Sequence, residues 1–376
     1  MEAANKPHMD RLAGNGELGT VRTVAPGLKP GSDVANLSVL GYDPHLYYTG
    51  RSPLEAASIG VAMSESDLAT RCNLVTLSEE EPYTAKTMID YCSDDISTAE
   101  ADQLIRAVDE AFRDRGVRFY TGVSYRHCMI SPAGDTDPQD SAPPHDILDQ
   151  PIAEHLPGEF FLSLMADSYA ILKDHPVNQA RIAKGKRPAN SIWLWGSGKK
   201  LSLPPFRDKY GISGAMVSAV DLLKGIAILS GMQSIDVPGA TGYIDTNFTG
   251  KATAALNAWK EGADLVYLHL EAPDECGHRG EAENKVRALE LIDSLVLGPI
   301  LEGLAAMGEP YGILIMPDHP TPLAIRTHSA DPVPYLIYHS EKDTGAAPVC
   351  FCEKAAAESG ILLEDGCSQI LRMMQK

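Results

Sequence analysis

The chain is short of positive charge, of aromatic rings and of any long apolar run. Its 32 lysines and arginines face 51 aspartates and glutamates, a formal net charge of −19, which argues against nucleic acid or an anionic membrane surface as a partner. An anionic substrate would have to be met by positive charge gathered locally, from metal ions or a few arginines. No apolar stretch approaches the roughly 20 residues of a membrane span, and the opening MEAANKPHMDRLAGNG has no apolar signal core. The seven cysteines are odd in number, scattered and without a CxxC pair. They read as reduced thiols of a cytoplasmic protein, with Cys350 and Cys352 as strand residues. A Walker-type GxxxxGK[ST] run is also missing. What is there is a chain of 376 residues, 44% hydrophobic, long enough for two domains with substantial cores.

Two stretches carry ionisable side chains in a suggestive pattern. In GILIMPDHPTPLAIRTHS the apolar run Gly312 to Met316, bounded by Pro317, reads as a buried strand of a parallel sheet. Asp318 and His319 leave its carboxyl end together, the edge at which open α/β sheets bind ligands, and His328 follows in a loop. In ADLVYLHLEAPDECGH the run Leu265 to Leu270 is again strand-like, and Asp274 and His278 follow Pro273. On a helix their spacing of four puts carboxylate and imidazole on one face. The plainer alternative makes Asp274 a cap of a helix through Lys285 to Leu297 and His278 a solvated side chain. Asp274, His278, Asp318, His319 and His328 form a hard oxygen and nitrogen set that suits Zn²⁺ or Mn²⁺ rather than a thiolate-seeking metal. Five such ligands are enough for two ions about 4 Å apart.

A two-metal site of this kind needs a nucleophile. In LKPGSDVANLSVLGYDP, Pro30 and Gly31 form a turn, and Ser32 stands where a helix begins. Serine there is ordinarily an N-cap, yet the same position aims its hydroxyl at the positive end of the helix dipole, where phosphate is stabilised. To attack, the hydroxyl needs a base or a metal.

The rest of the pattern predicts a helix over Asn5 to Asn15 and another over Ser97 to Arg115, capped by Ser97 or Thr98. Strands follow over Val117 to Tyr120 and His127 to Ile130, then a loop over Ser131 to Pro144, a helix over Phe160 to Leu172 and a strand over Ile192 to Trp195. These alternating elements predict a small α/β domain, residues 84–204, inserted into a larger one made of 1–83 and 205–376. In the insert Arg126 and His127 stand side by side, and an arginine fork suits carboxylate or phosphate. His145 and Asp146 follow a Pro-Pro turn as candidate proton carriers. Arg51, Asn190 and Lys199 complete the substrate-binding set, although any one of the cations serves equally well in a local salt bridge.

The runs PGSDVANLSVLGYDP, YYTGRSPLEAASIG, RCNLVTLS, WLWGSGK, VPGATGYIDTN, APDECGH, MPDH and THS span nearly the whole chain. With them the chain resembles the archaeal-type, cofactor-independent (2,3-bisphosphoglycerate-independent) phosphoglycerate mutases of the alkaline phosphatase superfamily. The resemblance implies a mainly parallel α/β sheet with helices on both faces, plus the inserted smaller α/β domain. It implies two divalent metal ions, Mn²⁺ or Zn²⁺ with Mg²⁺ and Co²⁺ as further options, and no 2,3-bisphosphoglycerate. Ser32 would be the nucleophile that becomes phosphoserine. Asp274, His278 and His328 would hold one metal, and Asp318, His319 and the Ser32 oxygen the other.

The activity implied is the interconversion of 3-phosphoglycerate and 2-phosphoglycerate in glycolysis or gluconeogenesis, by a cytoplasmic monomer or small homo-oligomer. His127 or Asp146 would deprotonate the glycerate hydroxyl that takes the phosphoryl group back. Arg51, Arg126, Asn190 and Lys199 would bind the substrate. One departure stands out. Members of the family begin with an inner strand ending in a Gly-Asp-Gly turn, whose Asp bridges the second metal and the serine. Met1 to Ala4 falls where the family already has the residues after that turn, so the strand and its Asp are expected to be absent. Alternatives that share the site are a homoserine kinase of the same family branch, a phosphatase or sulfatase of the superfamily, and a truncated inactive paralogue. The large insert favours a transferase.

Overall fold

The computed structural model describes residues 1–132 and 141–375, so most of the loop expected over Ser131 to Pro144 lies outside the described residues. Among them the strands are β1 (Glu17–Val21), β2 (Asp67–Leu77), β3 (Met88–Asp90), β4 (Arg118–Val123), β5 (Arg126–Pro132), β6 (Ser191–Lys199), β7 (Gly214–Val217), β8 (Gln233–Ile235), β9 (Leu265–Leu268), β10 (Gly312–Ile315), β11 (Val333–His339) and β12 (Leu362–Leu363). The chain divides into two compact units, residues 1–48 with 202–376, and residues 49–201. No described helix is long and apolar enough to cross a membrane.

The second unit starts at Thr49, well before the expected residue 84, and β2 is the reason. β2 pairs antiparallel with β5 over Asp67–Asn73 and with β6 over Leu68–Val75, which makes it an inner strand of this unit's sheet. Its partners lie far downstream, where sequence pattern alone could not assign them. β3 and β4 extend the same sheet. The helices Thr98–Phe112 and Glu159–Leu172 cover it, and Leu104, Ile105, Val108, Phe161, Leu164 and Met165 pack with Leu74, Met129, Ile192 and Trp193 into one core. Ser97 caps the first helix by accepting from the Glu100 N–H, and its hydroxyl donates to the Glu100 carboxylate at 2.8 Å, a capping box readable from the sequence.

The first unit holds two sheets. One is wholly parallel, in the order β8-β7-β9, and the other runs β10-β11-β1-β12. The α/β class is as expected, but β10 departs from the reading made of it. Its ladder is antiparallel to β11, Gly312 is exposed and Ile313 to Ile315 are only half-buried. β11 is buried along nearly its whole length. Its Pro334 stands past the end of the β10 ladder and pairs only with Thr20, so its missing N–H breaks no bond. The helix Phe248–Lys260 packs on β9 and β7, joining Ala252 and Ala255 to Ala288, Val296, Ile300 and Leu304. The helix expected near the start runs Pro7–Asn15 and seats Met9 and Leu12 against Leu336 and Phe351. Cys350 and Cys352 are not strand residues; they precede the helix Glu353–Glu358, and Pro348 breaks any extended ladder there.

Candidate active site

Asp274 and His278 stand on the helix Ala272–Arg279. The turn after Pro273 begins a helix, so the spacing of four does put both groups on one face. Asp274 lies in that helix's own first turn and caps nothing over Lys285 to Leu297. His328 arrives from the loop between β10 and β11. One donor atom from each of Asp274, His278 and His328 lies within 4.8 Å of the others, with the two imidazole Nε2 atoms 2.9 Å apart. His278 Nδ1 meets the Arg326 carbonyl at 3.0 Å and His328 Nδ1 the Pro30 carbonyl at 3.3 Å. A carbonyl only accepts, so each Nδ1 carries the proton and both Nε2 lone pairs face inward. Two lone pairs converging beside a carboxylate call for a cation, and carbonyl-anchored imidazoles are the usual support of a metal ligand.

The electrostatics agree. Burial would raise the Asp274 carboxyl, but hydrogen bonds from His328 and from the Thr321 hydroxyl outweigh it and hold it well below the usual carboxylate range. Burial opposes the charge on His328, and the hydrogen bond to Asp274 reverses that and raises it.

Next to this set lies another. The His319 and His328 rings are 3.9 Å apart between centroids, and His319 Nε2 is 3.0 Å from Ser32 Oγ and 3.5 Å from Asp318 Oδ2. Ser32 opens the helix Ser32–Val39, with Gly31 rather than the serine in the cap position, so the hydroxyl is free of capping and faces the imidazole. The helix start delivers unpaired N–H groups beside it, the setting in which an anionic oxygen is stabilised.

The sequence reading missed the residues that fix this set. Asn36, wholly buried, donates to the Ser32 carbonyl at 2.8 Å and to Asp318 Oδ2 at 2.9 Å, and accepts from the Tyr267 hydroxyl at 2.6 Å. It ties the serine helix, the Asp318 loop and β9 together. Its signal was an asparagine one helical turn after Ser32 among apolar neighbours. Thr321 positions Asp274 in a similar way. His269, at the end of β9, is buried and drawn down to about 4, against the pull of Asp318. Lys251 Nζ donates to its carbonyl at 3.2 Å, and burial brings that ammonium to about 8.

The second unit has its own cluster. Arg71 and Arg51 both pair with Glu55, and burial, which would raise the Glu55 carboxyl, is outweighed by Arg71 and then by Arg51 and Arg126. The Arg71 guanidinium lies 4.4 Å over Trp195, and His145 stands edge-on to Trp195 and Tyr91. Arg51, Arg126 and His145 thus share a neighbourhood, with Asp146 exposed beside His145. Arg71 went unnoticed because a strand arginine in RCNLVTLS gives no local sign of what lies opposite.

Three expected residues are placed elsewhere. Asn190 is buried and exchanges hydrogen bonds with the Leu77 N–H and carbonyl, a structural clamp. His127 is 6% exposed, its Nδ1 accepts from Gly122 N–H, and burial takes it to about 3. Lys199 ends β6 opposite Leu68.

The comparisons fit this geometry. Residues 13–178 match the family model described as 2,3-bisphosphoglycerate-independent phosphoglycerate mutase. The chain is 46% identical to the enzyme of that name from Methanosarcina barkeri, over 96% of this chain and 90% of the relative. It is 48% identical to a probable one from Geobacter sulfurreducens, over 100% and 93%. A solved protein from Pyrococcus horikoshii superposes with a TM-score of 0.80 at 28% identity, over 99% of this chain and 89% of that one. The cofactor-independent phosphoglycerate mutase of Thermoplasma acidophilum gives 0.65 at 25%, over 99% and 92%. With near-complete coverage at this level of identity, the chain belongs to the family of 2,3-bisphosphoglycerate-independent phosphoglycerate mutases.

Proposed function

We propose that this chain interconverts 3-phosphoglycerate and 2-phosphoglycerate, without 2,3-bisphosphoglycerate, by passing the phosphoryl group through Ser32. The observation that carries the reading is the Ser32 hydroxyl, uncapped at a helix start and 3.0 Å from His319, beside the converging donors Asp274, His278 and His328. Asp274, His278 and His328 would hold one divalent ion, Mn²⁺ or Zn²⁺, and Asp318 with His319 and Ser32 a second; bound there, such ions supply positive charge for the phosphoryl oxygens. Ser32 Oγ forms a bond to phosphorus as the glycerate 3-oxygen leaves with a proton. The reverse displacement by the 2-oxygen regenerates the serine hydroxyl, so atoms and charge balance. The free N–H groups at the start of Ser32–Val39 orient the phosphoryl oxygens, and Asn36 keeps the serine helix and Asp318 in register.

In the second unit we assign the glycerate carboxylate to Arg51 and Arg126, with Lys199 adding charge. Of the two proton carriers considered, Asp146 is exposed whereas His127 is buried with Nδ1 engaged, so the hydroxyl proton goes to Asp146. Asn190 keeps a supporting role. The reading places the enzyme in glycolysis or gluconeogenesis in the cytoplasm.

The test is an enolase-coupled assay with Mn²⁺ on the protein and on Ser32→Ala. We expect the variant to lose at least about a thousandfold in rate, and mass spectrometry of the protein quenched with substrate to find phosphate on the Ser32 peptide. Undiminished activity in Ser32→Ala, or phosphorylation of homoserine from ATP in place of mutase activity, would overturn the reading.

A further inference from the structure

The first unit contains an apolar cavity of about 940 Å³, near the upper end of the roughly 300–1,000 Å³ of ligand pockets. Its walls include two strand edges. β9 is the last strand of its sheet on one side and β10 the last of the other, and all residues of both strands line this one cavity.

The register shows which backbone groups face it. Leu265 N–H and His269 N–H donate towards β7, and alternation along a strand turns the peptide groups of Val266 and Leu268 the other way. On β10, the Tyr311 carbonyl accepts from Ser340 N–H on the β11 side, so Gly312 and Leu314 present their N–H and carbonyl groups away from β11. Among the described residues neither outer edge has a ladder partner. The other walls are apolar, with Trp259, Leu289, Leu297 and Phe351 among them, and one end reaches Ser32 and Asp318.

These features specify an occupant. An acyl chain or a small apolar molecule would fill the volume but leave two rows of backbone donors and acceptors unmatched, at a cost for each. Only another extended backbone satisfies both rows at once. Apolar walls on both faces demand apolar side chains in both directions, and edges of four residues each fit a segment of about five residues at 3.3 Å per residue. We propose that the β9–β10 slot binds an extended apolar segment of another polypeptide, which joins the two sheets by strand addition. This goes beyond the mutase reading and does not depend on it. Since β10 continues through Met316 and Pro317 into Asp318 and His319, an inserted strand would also brace the loop that carries those two groups.

The test uses a fluorescein-labelled peptide with a Val-Ile-Leu-Val-Ile core flanked by lysines, and the same peptide N-methylated at alternate residues. The expected result is saturable binding of the first, at least about tenfold weaker binding of the second, and new amide-exchange protection at Val266, Leu268, Gly312 and Leu314. Leu314→Pro removes a donor that faces the slot and not β11, so we expect it to keep the fold and weaken binding by about tenfold or more. Should that variant fail to fold, the methylated peptide and the exchange map still decide.

Absence of binding, equal binding of both peptides, or protection confined to other strands would overturn the proposal. Palmitate that occupies the slot while leaving those four amides in fast exchange would reassign it to an acyl chain. A self-association that the peptide does not reverse would assign it to a second copy. All the readouts are binding and exchange, so they succeed or fail separately from turnover.

Discussion

The two units solve the same packing problem differently. The second is one uninterrupted stretch of chain around one sheet, with a single core that runs from Leu68 to Leu194. The first is assembled from two stretches, splits its strands between two sheets and distributes its core among smaller clusters. The ionisable set sits in the second kind of architecture, the one with loose edges. A lone pair facing a lone pair, or a carboxylate held far below its usual range, costs local stability, and the unit that bears these groups also carries the open slot. The closed sheet of the second unit can hold its arginines on a rigid support.

The largest contrast is chemical. His328→Ala should abolish tight metal binding at the Asp274 and His278 site, read as metal stoichiometry by elemental analysis, while unfolding of the second unit stays unchanged. Full metal content in that variant would erase the distinction drawn between the units. Next comes packing. Trp193 is wholly buried and its indole N–H donates to the Ala142 carbonyl at 2.9 Å, so Trp193→Ala should destabilise the second unit by about 3–5 kcal/mol. If the first unit unfolded at the same denaturant concentration as its neighbour in this variant, the two would be one cooperative block.

A smaller effect is set by protons. His127 folds with its value lowered to about 3, so the unfolded chain binds a proton that the folded one refuses. Stability from this group is therefore complete above its unfolded value near 6.5 and falls as pH drops, by about 1.4 kcal/mol per pH unit. The first unit carries both signs. His269, lowered by burial, behaves like His127, while the raised His328 contributes stability that is present at low pH and is lost as pH rises through its folded value. Hydrogen exchange of the metal-free protein between pH 6.5 and 5 should show the second unit loosening more than the first. Smallest is the capping box: Ser97→Ala should cost about 1 kcal/mol, seen as a lower midpoint for the second unit alone.

What could be read from the chain follows from range. Asp274 and His278 were legible because a helix makes a spacing of four into a contact, and the capping box at Ser97 and Glu100 was legible for the same reason. Ser32 was legible as a helix start, though Gly31 took the cap. Asn36 was hidden, since its partners Asp318 and Tyr267 lie over two hundred residues away, and nothing near an asparagine announces them. Arg71 and the true beginning of the second unit were hidden together, because both depend on which strands flank β2. His127 looked available beside Arg126, but alternation along β5 turns neighbours to opposite faces, and it is the buried one.

The helix Pro7–Asn15 has no side-chain cap of its own. Its first amides, from His8 and Met9, donate instead to the fully buried Asp293 carboxylate at 3.1 and 2.8 Å. Asp293 opens a π-helical turn, and the acceptor lies 284 residues from Met9 along the chain. β1 likewise waits for β11 and β12. On the ribosome, therefore, the segment that begins the first unit emerges long before its partners and must remain unsatisfied while residues 49–201 complete a sheet from contiguous chain. At about 5–20 residues per second that delay lasts on the order of tens of seconds, a window in which chaperones would meet the early helix with its amides bare.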